Sequence, residues 1–190
     1  MKFPTFQRHG GLLLGSALRL LLLGAVWSGG WAQQEARAEP ASATEYDFKA
    51  TCLFHFMQFV KWPALPAGPL TIGILGDDPF GGALEKIIAG ELVEGHKLAV
   101  KRARKVEDLK GCQIVFIANS EWPNINGILT SLGGANILTV GEHDGFLKQG
   151  GIIGFTPAGT KIRFEINYGT AQRSGLRLDS RLLKLGQPEK

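Results

Sequence analysis

The chain has 190 residues, of which 44% are hydrophobic and 20% charged, so it can bury an ordinary globular core. This length is typical of one domain, or of one domain with a processed end, and the 26 glycines exclude a coiled coil or a helical repeat. The net charge is +4, but residues 1–38 carry four basic side chains and one acidic side chain, which leaves 17 basic against 16 acidic residues in the rest. The apparent basicity belongs to the N-terminal segment, so no nucleic-acid partner is expected.

The N-terminus has the pattern of a secretory signal peptide. Lys2 and Arg8 precede an apolar stretch whose uninterrupted part, residues 20–27, is too short to cross the roughly 30 Å hydrocarbon core as a helix. Small residues follow, and cleavage after Ala32 or after Ala38 fits the pattern. We predict a signal peptide over residues 1–38, a flexible segment over 39–45 and an exported protein. An uncleaved N-terminal anchor is the alternative.

Predicted helices and strands alternate along the rest of the chain. Apolar residues at nearly helical spacing predict a helix over 46–62, with Thr44 as its cap and Trp62-Pro63 at its end. Nearly continuous apolar runs predict buried strands at 70–76, 113–118 and 136–140, and another strand covers 96–103. Helices are predicted at 80–89, with Asp78 as N-cap, at 122–132, and once or twice within 168–185; segments 151–156 and 161–167 form a hairpin.

This alternation predicts an α/β layered sandwich. The sheet is mainly parallel, has about six strands and a C-terminal antiparallel hairpin, and carries helices on its faces. A single domain is expected over residues 46–186, followed by a tail over 187–190.

Acidic turns follow two of the predicted strands. Asp77 and Asp78 come after the strand at 70–76, and Glu142 and Asp144 come after the strand at 136–140, with His143 between them. If these strands are parallel, both turns emerge at the carboxyl edge of the sheet, where ligands of α/β proteins gather. The four carboxylates can then line one ligand-binding crevice. Two alternatives stay open, because carboxylates also cap helices and the second turn can be a polar loop without a ligand.

No pattern in the sequence points to an enzyme. A Gly-x-Ser-x-Gly nucleophile turn and a Cys/His signature are both absent, and the first strand–helix turn does not match the dinucleotide fingerprint. His55, His96 and His143 lack metal-like spacing, so no metal and no cofactor is expected.

Cys52 and Cys112 are the two cysteines of the chain. In an oxidising compartment such a pair can form a disulfide. The other interpretation is two buried thiols, since a free cysteine packs as a small hydrophobic side chain.

Eight short phrases together carry a family resemblance. In chain order they are Phe59-Val60-Lys61-Trp62-Pro63, Ile72-Gly73-Ile74-Leu75-Gly76-Asp77-Asp78-Pro79-Phe80, Gly111-Cys112-Gln113-Ile114-Val115-Phe116-Ile117, Leu138-Thr139-Val140-Gly141, Gly145-Phe146, Gly150-Gly151-Ile152-Ile153-Gly154-Phe155, Ile162-Arg163-Phe164-Glu165-Ile166-Asn167 and Ser180-Arg181-Leu182-Leu183-Lys184-Leu185. Each phrase alone is weak, but the ordered set spans about residues 46–185 and resembles the YfiR family of periplasmic regulators.

The resemblance implies a small non-catalytic periplasmic protein. Such a protein binds the periplasmic sensor domain of an inner-membrane diguanylate cyclase, represses it and lowers cyclic-di-GMP, and thereby affects biofilm formation. An outer-membrane lipoprotein is implied as a counter-partner. Family members that are regulated through disulfides carry more than two cysteines, so the resemblance does not extend to that control. An exposed sheet edge beside the terminal hairpin would also allow a homodimer. The alternative function is a periplasmic small-ligand sensor that uses the acidic crevice.

Overall fold

The computed structural model describes residues 41–158 and 161–188. The predicted signal peptide over 1–38 lies outside the described residues. Within them, no helix combines the length and the apolar character needed to cross a membrane. The helices are α1 (Ala41–Phe59), α2 (Ala83–Ile88), α3 (Ile125–Leu132), α4 (Tyr168–Arg173) and α5 (Ser180–Leu185), and two 3₁₀ helices cover Val106–Leu109 and Asn119–Asn124.

Ten strands form two sheets in the described part of the chain. They are β1 (Val60–Lys61), β2 (Leu70–Leu75), β3 (Leu92–Val93), β4 (His96–Ala103), β5 (Ile114–Ile117), β6 (Leu138–Gly141), β7 (Ile153–Ala158), β8 (Lys161–Ile166), β9 (Arg177–Leu178) and β10 (Gln187–Pro188). The main sheet has the order β10-β8-β7-β6-β5-β2-β4-β3, and β1 pairs with β9 separately. Only β7–β8 and β3–β4 are antiparallel within the described part of the main sheet. The predicted α/β fold with a mainly parallel sheet and a terminal hairpin is confirmed.

The central strands β2, β5 and β6 are apolar apart from Thr71 and Thr139, because both faces of the sheet are covered. Side chains alternate between the faces of a strand, so Ile114 and Phe116 pack in one hydrophobic cluster while Val115 and Ile117 pack in another. The first cluster includes residues of α1, α2, α4 and α5, and the second includes residues of α3. We call these two sides of the sheet the α1 face and the α3 face.

Both ends of the domain differ from the prediction. Helix α1 begins at Ala41, so the segment predicted to be flexible over 39–45 is helical from that residue onward. It ends at Phe59 rather than Trp62, because Val60 and Lys61 pair with β9. Part of the predicted tail over 187–190 is also ordered, since β10 adds to β8 in parallel.

Two predicted helix starts are also corrected. Helix α2 begins at Ala83, and its N-cap position is Gly82 without a side-chain hydrogen bond. Asp78 instead accepts a hydrogen bond from the Phe80 amide at 2.8 Å, which closes a turn before the helix. Similarly, Pro123 lies inside the 3₁₀ helix Asn119–Asn124, and α3 starts after it at Ile125.

The buried Phe146 ring on the α3 face packs directly against two glycines. A Cβ atom on Gly141 would lie 2.7 Å from Phe146 Cδ2, and one on Gly151 would lie even closer to Phe146 Cε1. Such distances are shorter than van der Waals contact, so both positions require glycine to seat the ring between β6 and β7.

We expect Gly151→Ala to lower the free energy of unfolding by about 1–3 kcal/mol, because the added methyl group overpacks the core against Phe146. Gly127→Ala is the control: it lies in α3 with open space around its Cα, and alanine there should raise stability by up to about 1 kcal/mol. Urea unfolding measures both variants. Equal stabilities would contradict the packing at Phe146.

Candidate functional site

The carboxyl ends of β2, β5 and β6 meet at one edge of the sheet. These three strands are neighbours and run parallel, as the acidic-crevice prediction required. The turn that holds Asp77 and Asp78 follows β2, and the turn that holds Glu142 and Asp144 follows β6. Because β5 lies between those strands, the residues after it separate the two acidic turns.

The first acidic turn is neutralised by arginines of β4 and the residues after it. Asp77 Oδ1 lies 2.5 Å from Arg104 Nη1 in an exposed pair. Asp78 Oδ2 accepts a hydrogen bond from Arg102 Nε at 2.6 Å, and Arg102 also pairs with Glu85 of α2. The hydrogen bond to Glu85, followed by the one to Asp78, raises the pKa of the Arg102 guanidinium above its ordinary value. This turn therefore offers little free negative charge to a ligand.

The backbone at the end of β2 is held against the segment after β5. Gly76 has a φ of +93°, in the region that favours glycine. A Cβ atom there would lie 2.5 Å from Ser120 Oγ, and the same hydroxyl accepts a hydrogen bond from the Asp77 amide at 3.0 Å. The turn after β2 and the 3₁₀ helix after β5 are thus locked together, and this contact partly fills the carboxyl edge of the sheet.

The second acidic turn contributes a buried ion pair with helix α1. Glu142 Oε2 lies 2.5 Å from Lys49 Nζ, and the two side chains are only 7% and 5% exposed. Glu142 Oε1 accepts hydrogen bonds from Tyr46 OH at 3.1 Å and from Asn119 Nδ2 at 3.2 Å. Lys49 Nζ also contacts Glu45 Oε1 at 2.5 Å. The network ties α1 to the ends of β5 and β6, and a buried pair needs such added hydrogen bonds to offset the loss of hydration.

Tyr46 is a half-buried member of this network. Burial, reinforced by the negative charge of Glu142, raises the pKa of Tyr46 to about 12. Its ring packs edge-on against Phe80 at a centroid distance of 5.6 Å, and Lys49 Nζ lies 4.5 Å from the centre of the Tyr46 ring. The sequence prediction included Glu142 but missed Tyr46 and Lys49. The available signal was a lysine placed between apolar residues of a helix, four residues after Glu45.

His143 and Asp144 lie beyond this network. The His143 ring stacks on Trp122 with centroids 3.6 Å apart and an angle of 7° between the planes. His143 Nδ1 is 2.7 Å from the Asp144 carbonyl oxygen, and Asp144 itself is exposed. Within residues 41–158 and 161–188, no three side chains of His, Cys, Asp or Glu are arranged to hold a metal ion. The structure thus gives Asp77, Asp78 and Glu142 separate cationic partners, and the assignment of Asp77, Asp78, Glu142 and Asp144 to one ligand site stays a prediction.

Both cysteines are free and buried. Cys52 packs in the cluster on the α1 face and Cys112 in the cluster on the α3 face. The sheet therefore lies between the two cysteines. The fold supports the interpretation of two buried thiols and does not contain a Cys52–Cys112 disulfide. Burial raises the pKa of each thiol to about 11, which leaves little reactive thiolate at neutral pH.

A model of the DUF4154 family, described as YfiR/HmsC-like, matches residues 46–187. The chain belongs to the YfiR/HmsC-like family. The resemblance seen in the ordered sequence phrases is confirmed over almost the whole described domain. Members of this family regulate cyclic-di-GMP signalling in the periplasm, and the family is regulatory and non-catalytic.

Two solved structures are similar to this YfiR/HmsC-like domain. A conserved domain protein from Vibrio cholerae O1 biovar El Tor has a TM-score of 0.51 and 14% sequence identity, and the match covers 76% of this chain and 60% of that one. This chain therefore spans less than two thirds of that protein, and the likeness shows the fold alone. The ABC domain in complex with L-Trp from Streptococcus pneumonia has a TM-score of 0.45 and 11% identity, with 63% of this chain and 54% of that chain covered. That second likeness is too distant to support any statement about the YfiR/HmsC-like domain.

We expect Lys49→Met to lower the free energy of unfolding by about 3–5 kcal/mol, because it leaves the Glu142 carboxylate buried without its cation. The double variant Lys49→Met/Glu142→Gln should recover part of that loss. Arg104→Ala is the control: it breaks the exposed pair with Asp77, in which the side chains are 72% and 71% exposed, and should cost at most about 1 kcal/mol. Urea unfolding gives all three values. Equal costs for Lys49→Met and Arg104→Ala would refute the burial of the pair.

For the thiols, we expect Cys52 and Cys112 to resist alkylation in the native protein at neutral pH and to react fully in denaturant. Mild oxidation should form no internal disulfide, as judged by mass spectrometry. A cysteine introduced at the exposed Ser131 (Ser131→Cys) should be alkylated at once and serves as the control. A native protein that loses two hydrogens on oxidation and gains a Cys52–Cys112 bond would contradict the fold.

Proposed function

We propose that this protein represses an inner-membrane diguanylate cyclase by binding the periplasmic sensor domain of that enzyme, and so lowers cyclic-di-GMP. The observation that carries the proposal is the match of the YfiR/HmsC-like family to residues 46–187. Regulation of cyclic-di-GMP signalling is the shared role of the family, while the identity of the partner and the direction of control belong to our proposal.

The proposed mechanism is a shift between two states of the cyclase. A repressor acts in this way when it binds the inactive arrangement of the sensor domain more tightly than the active one. A difference of about 1–3 kcal/mol in binding changes such an equilibrium about 5- to 150-fold. The protein itself then needs a stable binding surface rather than reacting groups, and the buried two-layer core provides the rigid support for that surface.

The carboxyl edge of the sheet also favours a binding protein over a sensor of small ligands. Asp77, Asp78 and Glu142 are held by Arg104, Arg102 and Lys49, so a cationic ligand would have to displace these partners. Burial of the Glu142–Lys49 pair gives this edge a structural role in holding α1 on the sheet.

The releasing signal, in our proposal, is not an internal disulfide. Cys52 and Cys112 are buried free thiols in clusters on opposite sides of the sheet, so a disulfide between them would require a change in the packing of both clusters. Release would then come from a competing partner, and an outer-membrane lipoprotein, implied by the family resemblance, fits that role.

Deletion of the reading frame should raise cellular cyclic-di-GMP, because the cyclase loses its repressor. The full-length chain should restore the low level, whereas a chain that lacks residues 1–38 should not, because it stays in the wrong compartment. Cyclic-di-GMP extracted from the three strains measures this, with immunoblots to match the amounts of protein. Restoration by the chain without its leader, or no rise on deletion, would contradict the proposal.

A further inference from the structure

The outer edge of strand β4 is mostly unpaired. Strand β2 pairs with it from Leu98 to Ala103. On the other side, β3 covers only Lys97 and His96. Across the two described segments of the chain, no strand pairs with the outer side of residues 98–103. An unpaired edge of this length presents a row of backbone donors and acceptors that can template another strand.

The direction of the free backbone groups follows from one hydrogen bond. The Ala103 carbonyl accepts from the Gly76 amide at 3.1 Å, so Ala103 faces the β2 side. Because the backbone groups of successive residues point to opposite sides of a strand, Leu98, Val100 and Arg102 direct theirs outward. These three residues would form the hydrogen bonds to an added strand.

An apolar groove runs beside this edge on the α1 face. It has a volume of about 610 Å³ and lies between the end of α2, β3 and β4. Its apolar lining includes Ile88, Leu92, Leu98 and Val100, and Leu92 is 56% exposed. Two carboxylates line the groove as well, Glu91 and Glu85, and Glu85 is paired with Arg102. Alternate side chains of a strand added to β4 would project into this groove, which is the usual way in which strand addition acquires specificity.

The other face of the same edge is basic. Lys101 lies on the α3 face, because its partner Gly73 adjoins Cys112 of that cluster, and Lys97 lies on the same side four residues earlier. Lys97 is exposed, and Lys101 Nζ donates a hydrogen bond to the Asp108 carbonyl oxygen at 2.5 Å. Neither lysine forms an ion pair within the described residues. A second copy of the chain would bring two more lysines to this face, and like charges on paired strands are destabilising. Acidic side chains are the complement.

We propose that the outer edge of β4 binds an extended acidic segment of the partner's periplasmic domain as an added strand. Apolar side chains at alternate positions of that segment occupy the groove beside α2, and the acidic side chains between them face Lys97 and Lys101. This assignment rests on the proposed function, since it names the surface through which the regulator holds its membrane partner.

The test uses the mature protein and a synthetic peptide of alternating Val and Glu, about as long as β4. The comparison peptides are a Val-Lys repeat and a Val-Glu repeat that is N-methylated along one edge. Fluorescence anisotropy should show the Val-Glu peptide binding at least about tenfold more tightly than either comparison peptide, the difference expected of two reversed charge pairs or a lost edge of hydrogen bonds. Equal binding of the Val-Glu and Val-Lys peptides would overturn the proposal.

Variants locate the binding on β4. Lys97→Glu/Lys101→Glu should reverse the preference between the two charged peptides. The control Lys148→Glu/Lys184→Glu makes the same change in net charge at exposed lysines away from β4 and should leave the preference unchanged. Val100→Pro removes an outward amide and keeps the bonds to β2, so it should abolish binding at a nearly unchanged melting temperature. If the two double variants behave alike, the site is elsewhere.

The cellular assay separates this inference from the proposed function. In the deletion strain, Lys97→Glu/Lys101→Glu should fail to lower cyclic-di-GMP while Lys148→Glu/Lys184→Glu succeeds. Repression by both would leave the proposed function standing and overturn β4 as the surface. An unchanged cyclic-di-GMP level in the deletion strain would instead contradict the proposed function. A fall in solution mass on Val100→Pro would show that a second copy, not the partner, occupies this edge and would also overturn the inference.

Discussion

Burial of β2, β5 and β6 on both faces is the constraint on which the rest of the structure depends. Apart from Thr71 and Thr139, these strands carry no polar side chain. Helices must therefore cover both sides of the sheet, and parallel strands meet that demand because their connections cross the faces. The same arrangement sends every strand–helix turn of these strands to one edge. It also assigns neighbouring residues such as Val115 and Phe116 to different clusters, and it separates the two thiols.

At the resulting carboxyl edge of the sheet, side chains connect helix α1 to the ends of the strands instead of standing free to react. Lys49 and Glu142 are 93 residues apart in the chain and meet in a nearly dry pair. Because an unpaired charge at that depth would be very costly, this contact selects the position of α1 on the sheet. The exposed arginines that pair with Asp77 and Asp78 contribute less to stability but leave the first acidic turn with little free charge. A regulator that must present one fixed surface to a partner benefits from such rigidity.

Local hydrophobic patterns correctly predicted the strands whose formation depends on nearby residues. The strand predicted at 96–103 has the observed bounds, and the apolar runs located β2 and β5, because continuous hydrophobicity is typical of buried parallel strands. The fold class followed from their alternation with helices. Prediction failed where a distant partner decides the outcome: β1 exists because β9 pairs with it, and Asp78 closes a turn instead of capping α2. Neither the partner of Glu142 nor the separation of Cys52 from Cys112 could be obtained from spacing alone, since both depend on the complete packing.

The family assignment and the geometry support our proposal that the protein acts by binding a membrane partner. The claim that this protein represses a cyclase is tested most directly with solubilised membranes from the deletion strain. In such membranes the cyclase and its periplasmic domain are both accessible. The rate of cyclic-di-GMP formation from GTP is measured as purified mature protein is added, with heat-unfolded protein as the control. Our account predicts a saturable fall in that rate with the folded protein alone. A rate that stays unchanged at all concentrations, in membranes that retain an active cyclase, would contradict it.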